Sequence, residues 1–401
     1  MFESKKYPEI RYDHFTDAWE QHRFSALVSR VSTSSEDESL PRVEYEDIVS
    51  GKGQLNKNIF RKKSKKKGIE FKPGDILFGK LRPYLKNWLR PDFTGIAVGD
   101  FWVFRPEDTD SDFIYSLIQT NKYQTVANLS TGTKMPRSDW AVVSNTEFKV
   151  PSSVEEQIKI GDVFKQLDQS IALHQHKFEK MVFMKKALLE KMFPKKGKDK
   201  PDIRFEEFTA PWEERKLGDL ATSFEYGLNA AAKEYDGKNK YLRITDINEN
   251  SREFIKDNLT SPNIELDKAD NYLLSKGDIL FARTGASVGK TYRYRETDGK
   301  VYYAGFLIRA RINESNDSEF IYQNTLTDAY SNFIKITSQR SGQPGVNARE
   351  YASFKLAVPS KKEQVKIGEF FIQIDALIAL QQLELGKLVN IKKALLQKMF
   401  V

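Results

Sequence analysis

The sequence predicts an α+β protein: two tandem mixed α/β blocks alternate with two long helices, and the helices fold on each other as an intramolecular antiparallel coiled coil. Three observations carry that expectation. Near residue 185 the chain reads KKALLEKMF and its last ten residues read KKALLQKMFV; extended backwards, KIGDVFKQLDQSIAL from Lys159 aligns with KIGEFFIQIDALIAL from Lys366, at a constant offset of 207 residues. A second duplication, PEIRYDHFTDAWE from Pro8 and PDIRFEEFTAPWE from Pro201, has an offset of 193. The third observation is a heptad-like apolar repeat inside the longer duplication. A chain of 401 residues with 39% hydrophobic and 12% aromatic residues exceeds one ordinary domain and can fill more than one core.

Each copy therefore has the same plan: a lead-in motif, a divergent block of about 130 residues, and a conserved helix. The boundaries fall at 1–151 for the first lead-in and block, 152–193 for the first helix, 194–359 for a linker and the second block, and 360–401 for the second helix. The first helix has a seam at Ile160, Phe164, Leu167, Ile171, His174, Phe178, Met181, Lys185, Leu188 and Met192, spaced alternately by four and three. The second repeats it at Ile367, Phe371, Ile374, Ile378, Gln381, Leu385, Leu388, Lys392, Leu395 and Met399. Ser152 and Ser360, after Pro151 and Pro359 and ahead of Glu156 and Glu363, suit capping chemistry at the helix starts. PKKGKDKP ends the first helix, because Pro194, Gly197 and Pro201 cannot continue it.

A narrow apolar stripe on each of two helices is buried most economically by pairing the copies. Antiparallel order puts the blocks, each joined to the N-terminal end of its helix, at opposite ends. A helix of about 34 residues would make a bar of about 50 Å. Periodicity by itself also admits a two-helix core or a dimer stalk. The polar positions His174 and Gln381 either set register or mark a solvent-facing break. Because the second lead-in follows the exit of the first helix, the first should lie beside the exit of the second. That arrangement is pseudo-twofold and quasi-circular, with neighbouring termini.

The blocks share a scaffold and differ in their loops. KPGDILFGKLRPYL and SKGDILFARTGASVGK begin alike at Gly74 and Gly277: a turn, an apolar strand, then a basic loop. These loops supply Lys80, Arg82 and Lys86 in the first block and Arg283, Lys290 and Arg293 in the second. A later polar loop, STGTKMPRSDW from Ser130 or SQRSGQPGVNAREY from Ser338, supplies Lys134, Arg137, Arg340, Gln343, Asn347 and Arg349. Such side chains bond phosphates or base edges, although ordinary solvated loops have the same composition. RKKSKKKG, with Arg61, Lys62 and Lys63, suits a phosphate backbone or a solvated tip equally.

Lys and Arg number 64 against 56 Asp and Glu, a net charge of +8, which favours a polyanionic partner. There is no Cys, so disulfides and thiolate zinc sites are excluded, and the four His are scattered. The start MFESKKYPEI lacks an apolar signal core and no run of about 18 apolar residues occurs, so no membrane role and a cytoplasmic location are expected. Two catalytic look-alikes fail. GASVGKT has three residues between its glycines where a phosphate-binding loop needs four. Asp202 with Glu214 and Lys216 mimics a metal-dependent nuclease pattern, but the first copy has Gln21 in place of Glu214.

The order of these motifs resembles the specificity subunit of type I restriction-modification enzymes. The resemblance rests on the paired KKALLEKMF and KKALLQKMF endings, the EEQIKIG and EQVKIG helix starts and WEERKLGDL from Trp212, and it spans essentially the whole chain. It implies that the blocks are target recognition domains, each reading one half of a split double-stranded DNA sequence. It also implies a chain that is not catalytic alone and binds no cofactor, docking two modification and two restriction subunits. Those partners would carry S-adenosylmethionine, ATP and Mg for adenine methylation and cleavage. A 50 Å bar implies half-sites roughly one DNA turn apart, taken at about 3.4 Å per base pair. Three rival readings predict different behaviour: a scaffold or repressor would bind its site without methylation partners, a nuclease would lose cutting on Glu214→Ala, and a coiled-coil adaptor would show no salt-dependent DNA affinity.

Overall fold

The duplicated segments become helices Val154–Met192 and Lys361–Lys398, of 39 and 38 residues. They belong to a computed structural model that describes residues 7–61, 64–129, 134–339 and 342–401, with the Lys268 side chain left aside. Both are longer than the repeat suggests, because the first turn after each proline is already helical. Every seam position is buried or half-buried, whereas apolar residues off the seam, such as Leu173, Phe183, Leu377 and Leu383, are exposed.

The chain divides into two compact units. One comprises Met1–His176 with Gln382–Val401, the other Lys177–Gln381. Each unit thus owns half of each long helix. In the first, Phe164 packs on Phe400 with ring centroids 5.8 Å apart, and about one turn further along the first helix Asp168 accepts from Lys392 at 2.5 Å. Residue numbers rise along one helix as they fall along the other, so the pairing is antiparallel. In the second unit Lys185 meets Asp375 at 2.6 Å and Phe193 packs on Phe371 with ring centroids 6.0 Å apart. The seam lysines that interrupt the apolar repeat are thereby matched to acids, and buried charge of this kind fixes register because a slipped pairing strands it.

The helix starts explain the conserved EQ-x-K-I-G motif residue by residue. Ser153 Oγ and Ser360 Oγ each accept at 3.4 Å from the N–H three residues on. The first cap is Ser153 rather than Ser152, since the chain takes one extra residue after Pro151. The glutamates turn outward to the lead-in motif. Glu156 receives Arg11 Nε and Nη2 at 2.7 and 2.8 Å and Trp19 Nε1 at 3.2 Å. Glu363 receives Arg204 and Trp212 at the same three distances. Gln157 and Gln364 accept from the backbone N–H of Asp110 and Asp317 at 3.0 and 2.9 Å. Those aspartates cap the short helices Ser111–Leu117 and Ser318–Asn324. Gly161 and Gly368 let the short helices close in: an added Cβ would lie 2.5 Å from Asp110 Oδ1 or 2.6 Å from Asp317 Oδ1.

The lead-in also meets the other helix within each unit. Ile203 N–H donates to Lys191 C=O at 2.9 Å where the chain is continuous, and Ile10 N–H donates to Lys398 C=O at 3.0 Å where it is not. The first lead-in and the end of the second helix are therefore neighbours in the first unit, as the repeat offsets imply.

Both blocks are built on one antiparallel sheet. Its order is Val28–Val31, Phe101–Pro106, Ile76–Gly79, Trp88–Leu89 in the first unit and Ala221–Tyr226, Leu307–Ile312, Asp278–Ala282, Thr291–Arg293 in the second. The repeated Gly-Asp is structural: Asp75 takes Lys72 N–H at 2.8 Å and Arg105 at 2.8 and 2.7 Å, and Asp278 takes Ser275 N–H and Arg311 likewise. Aromatic residues fill the space between sheet and helices, Phe24, Phe78, Phe104 and Tyr123 in one core and Phe281, Tyr330, Tyr351 and Phe354 in the other. The blocks diverge beyond this sheet, where among the described residues the first has a second four-stranded sheet and a short pair, Ile48–Val49 with Gln54–Leu55, and the second has two separate strand pairs.

Candidate nucleic-acid interface

In each unit the hairpin tip after the apolar strand is laced to the later polar loop by the same three contacts. In the first, Arg82 N–H donates to Pro136 C=O at 2.7 Å, Ser138 N–H donates to Lys80 C=O at 2.8 Å, and Leu81 bridges Arg137. In the second, Gly285 N–H donates to Pro344 C=O at 3.0 Å, Val346 N–H to Arg283 C=O at 2.9 Å, and Thr284 bridges Gly345. Two loops that are distant in sequence are thus one surface in each unit, with Lys80, Arg82, Lys86, Lys134 and Arg137 on the first and Arg283, Gln343 and Arg349 on the second.

Buried and half-buried tyrosines hold these surfaces from below. Tyr45 Oη donates to Asp100 C=O at 2.5 Å and accepts from Leu81 N–H at 3.1 Å. Tyr351 Oη donates to Ala282 C=O at 2.6 Å and accepts from Gly289 N–H at 3.1 Å, while Tyr330 Oη donates to Gly289 C=O at 3.1 Å. Burial pushes all three phenols up, so they remain neutral donors.

The family model described as the type I restriction modification DNA specificity domain matches residues 42–181 and 210–390, one stretch in each copy. The chain belongs to the type I restriction-modification DNA specificity family. Its fold is similar to that of the type I restriction-modification system S subunit from M. genitalium, with a TM-score of 0.65, 15% identity, and coverage of 98% of this chain and 99% of that one. A second structure, described under the complex assembly and conformational transition of the type I R-M system, matches with a TM-score of 0.54 and 18% identity over 95% of this chain and 97% of that one. As a member of this family the chain is a non-catalytic specificity subunit with a role in choosing a DNA target. No helix among the described residues is long and apolar enough to cross a membrane.

On the specificity subunit, the candidate residues divide by what they touch. Arg61, Lys86, Lys134, Gln343, Asn347 and Arg349 are exposed. Lys80 and Arg137 share Asp100, at 3.6 and 3.1 Å, which orients them side by side. Arg283 lies 4.9 Å over the Tyr226 ring. The side chain of Asn347 accepts from Glu350 N–H at 3.0 Å as a helix cap, a duty Asp139 performs in the first unit. Lys290 and Arg293 turn inward instead. Lys290 is buried against Glu249 and donates to Ile247 C=O at 3.3 Å, and Arg293 is paired with the buried Glu319. Lys62, Lys63 and Arg340 lie outside the described residues. The rest of the basic run is partly neutralised, with Lys65, Lys66 and Lys67 on Glu38, Glu44 and Glu36.

The phosphate-loop look-alike is also accounted for. Gly285 and Gly289 have φ of 71° and 83°, and they stand where the first unit has Arg82 and Lys86, at 50° and 56°. The two glycines shape a hairpin tip, with the Gly285 N–H spent on Pro344 and the lysine spent on Glu249. At the nuclease look-alike, Asp202 pairs with Lys195 at 2.9 Å and Glu214 with Lys355 at 2.7 Å, so the two acids have separate partners. Exposed Tyr84, Leu85 and Phe306 belong to the same surfaces and escape a search for polar contacts. The alignment of Arg82 and Lys86 with two glycines is the signal that marks the first tip.

Proposed function

We propose that the two laced-loop surfaces each read one half of a bipartite, asymmetric double-stranded DNA target. The observation that supports this reading is the repetition of one backbone scaffold carrying two different sets of side chains. Identical backbone contacts present Lys80, Arg82, Lys134 and Arg137 in one unit and Arg283, Gln343 and Arg349 in the other, so the two half-sites differ in sequence. Cations hold phosphates, whereas the Gln and Arg side chains suit adenine and guanine edges.

In this reading the long helices dock two modification subunits and two restriction subunits, and those partners carry S-adenosylmethionine, ATP and Mg. Exposed apolar residues off the seam, including Leu173, Phe183, Leu377, Leu380, Leu383 and Ile391, give the helices a surface for such partners. The chain is coexpressed with the modification subunits of its own system and the complex is sized by light scattering. The reading expects one copy of this chain with two modification subunits, and binding to one split DNA sequence with affinity that falls steeply with salt. A chain that binds its site unaided and recruits no methylation partner would replace this reading with a scaffold or repressor.

A further inference from the structure

The two hairpin tips share a backbone path and differ in what they project from it. At the two left-handed positions the second unit carries glycine, and at Gly289 it must, because a Cβ there would lie 2.6 Å from Ile334. The first unit fills the same positions with Arg82 and Lys86, a backbone conformation that side chains resist. Between them Tyr84 and Leu85 are 54% and 38% exposed, where the second unit has the smaller, half-buried Ser287 and Val288.

That exposure does not come from a loose loop. Leu85 N–H donates to Arg82 C=O at 2.8 Å, Lys86 N–H to Pro83 C=O at 2.9 Å, and Gly51 N–H to Lys86 C=O at 2.9 Å, while Ser50 Oγ holds the Leu85 carbonyl. The charges are also uncommitted. Lys80, Arg137 and Lys65–Lys67 all pair with acids, but among the described residues neither Arg82 nor Lys86 pairs with a carboxylate. Arg82 Nε is in addition buried without a hydrogen-bond partner. A rigid turn with an apolar crest and a free cation at each foot is complementary to a groove edged by phosphates. Apolar side chains that enter such a groove unstack a base step, and cations on either side neutralise the backbone they pass.

We propose that the turn Arg82–Lys86 is a DNA wedge: Tyr84 and Leu85 enter a base step of the half-target read by the first unit, and Arg82 and Lys86 hold the flanking phosphates. The wedge rests on the DNA-target reading above and adds a mechanism to one half of it. It makes that half-target depend on deformability, so the step entered is a pyrimidine–purine step, the kind that unstacks most easily. The second tip, Gly285–Gly289, has no comparable crest, so no wedge enters its half from this turn.

The test uses the assembled complex and split-target DNA carrying 2-aminopurine at successive positions, a base whose fluorescence rises on unstacking. Wild-type complex is expected to raise the signal several-fold at one pyrimidine–purine step in the first unit's half and, apart from the adenines extruded for methylation, nowhere in the other. Tyr84→Ala with Leu85→Ala is expected to abolish the rise and weaken binding about 10-fold while leaving the subunits assembled. Arg82→Gly with Lys86→Gly is expected to melt roughly 2–4 °C higher, with a salt slope shallower by about 1.8, or about 0.9 per phosphate contact. Tight binding of the split target with flat fluorescence at every position other than the methylated adenines would overturn the wedge and leave the target reading intact. Loss of modification subunits from the Tyr84, Leu85 variant would make the crest a protein contact instead. A glycine variant that melts lower would remove the strain argument. A wild-type complex with no split-target affinity would overturn the underlying reading and the wedge with it.

Discussion

Replacing Glu363 by alanine tests how the duplicated motifs hold the second unit together. Its carboxylate is almost completely buried and receives two N–H groups from Arg204 and one from Trp212, at 2.7, 2.8 and 3.2 Å. Truncation leaves the Arg204 side chain, only 13% exposed, with no carboxylate and with the Ala210 carbonyl at 2.7 Å as its remaining acceptor. Breaking a buried pair from one side costs about 3–5 kcal/mol. Glu363→Gln keeps the shape and one acceptor oxygen, so about 2 kcal/mol is expected from the weakened charge-assisted bonds. Trp212 is the single tryptophan between Lys177 and Gln381, so its fluorine resonance in the 5-fluorotryptophan-labelled protein, resolved from those of the other four and followed in urea, reports this unit through the residue that loses its partner. Arg204→Ala alone and in combination completes a double-mutant cycle, with a coupling energy of about 2–3 kcal/mol expected. A loss below about 1 kcal/mol for Glu363→Ala, or additive single mutants, would refute the view that this carboxylate joins the lead-in to the helix start.

Three further outcomes follow from the same geometry. Asp168→Lys sets two ammonium groups against each other in the helix seam and should cost about 2–4 kcal/mol, and adding Lys392→Asp should recover most of it in thermal melts. Gly161→Ala drives a Cβ to 2.5 Å from Asp110 Oδ1 and should cost 2 kcal/mol or more by order of magnitude, whereas Gly386→Ala, with nothing within 4 Å, should gain about 1 kcal/mol. Lys134→Ala should weaken DNA binding by the assembled complex evenly across sequences and lower the salt slope by about 0.9.

The long helices were legible because their repeat is written twice at one offset, and each seam position in both copies proved buried or half-buried. The Glu-Gln helix starts were legible as a motif but not in their roles. Capping explains the serines, yet the partners of Glu156 and Glu363 are an arginine and a tryptophan far upstream, and the partners of Gln157 and Gln364 are backbone groups of another helix. Nothing in local sequence distinguishes Lys290 from Lys80, because the acid that draws Lys290 inward, Glu249, sits in a segment where the two blocks diverge. The basic run from Arg61 reads as one charge cluster, while in space three of its lysines face the acids of the preceding segment. The left-handed residues Arg82 and Lys86 were marked in the sequence by the glycines opposite them, a signal visible only when the two copies are aligned through their Gly-Asp turns.

Single-molecule sequencing of adenine methylation in a host carrying the partner modification subunits tests the central claim most directly. The host is examined without this chain, with it, and with its block from Ser25 to Val150 exchanged for that of another specificity subunit. The account expects a split, asymmetric methylated motif that requires the chain and changes in one half only on exchange. Methylation that is unchanged by the chain or by the exchanged block, in a complex shown to assemble, would contradict it.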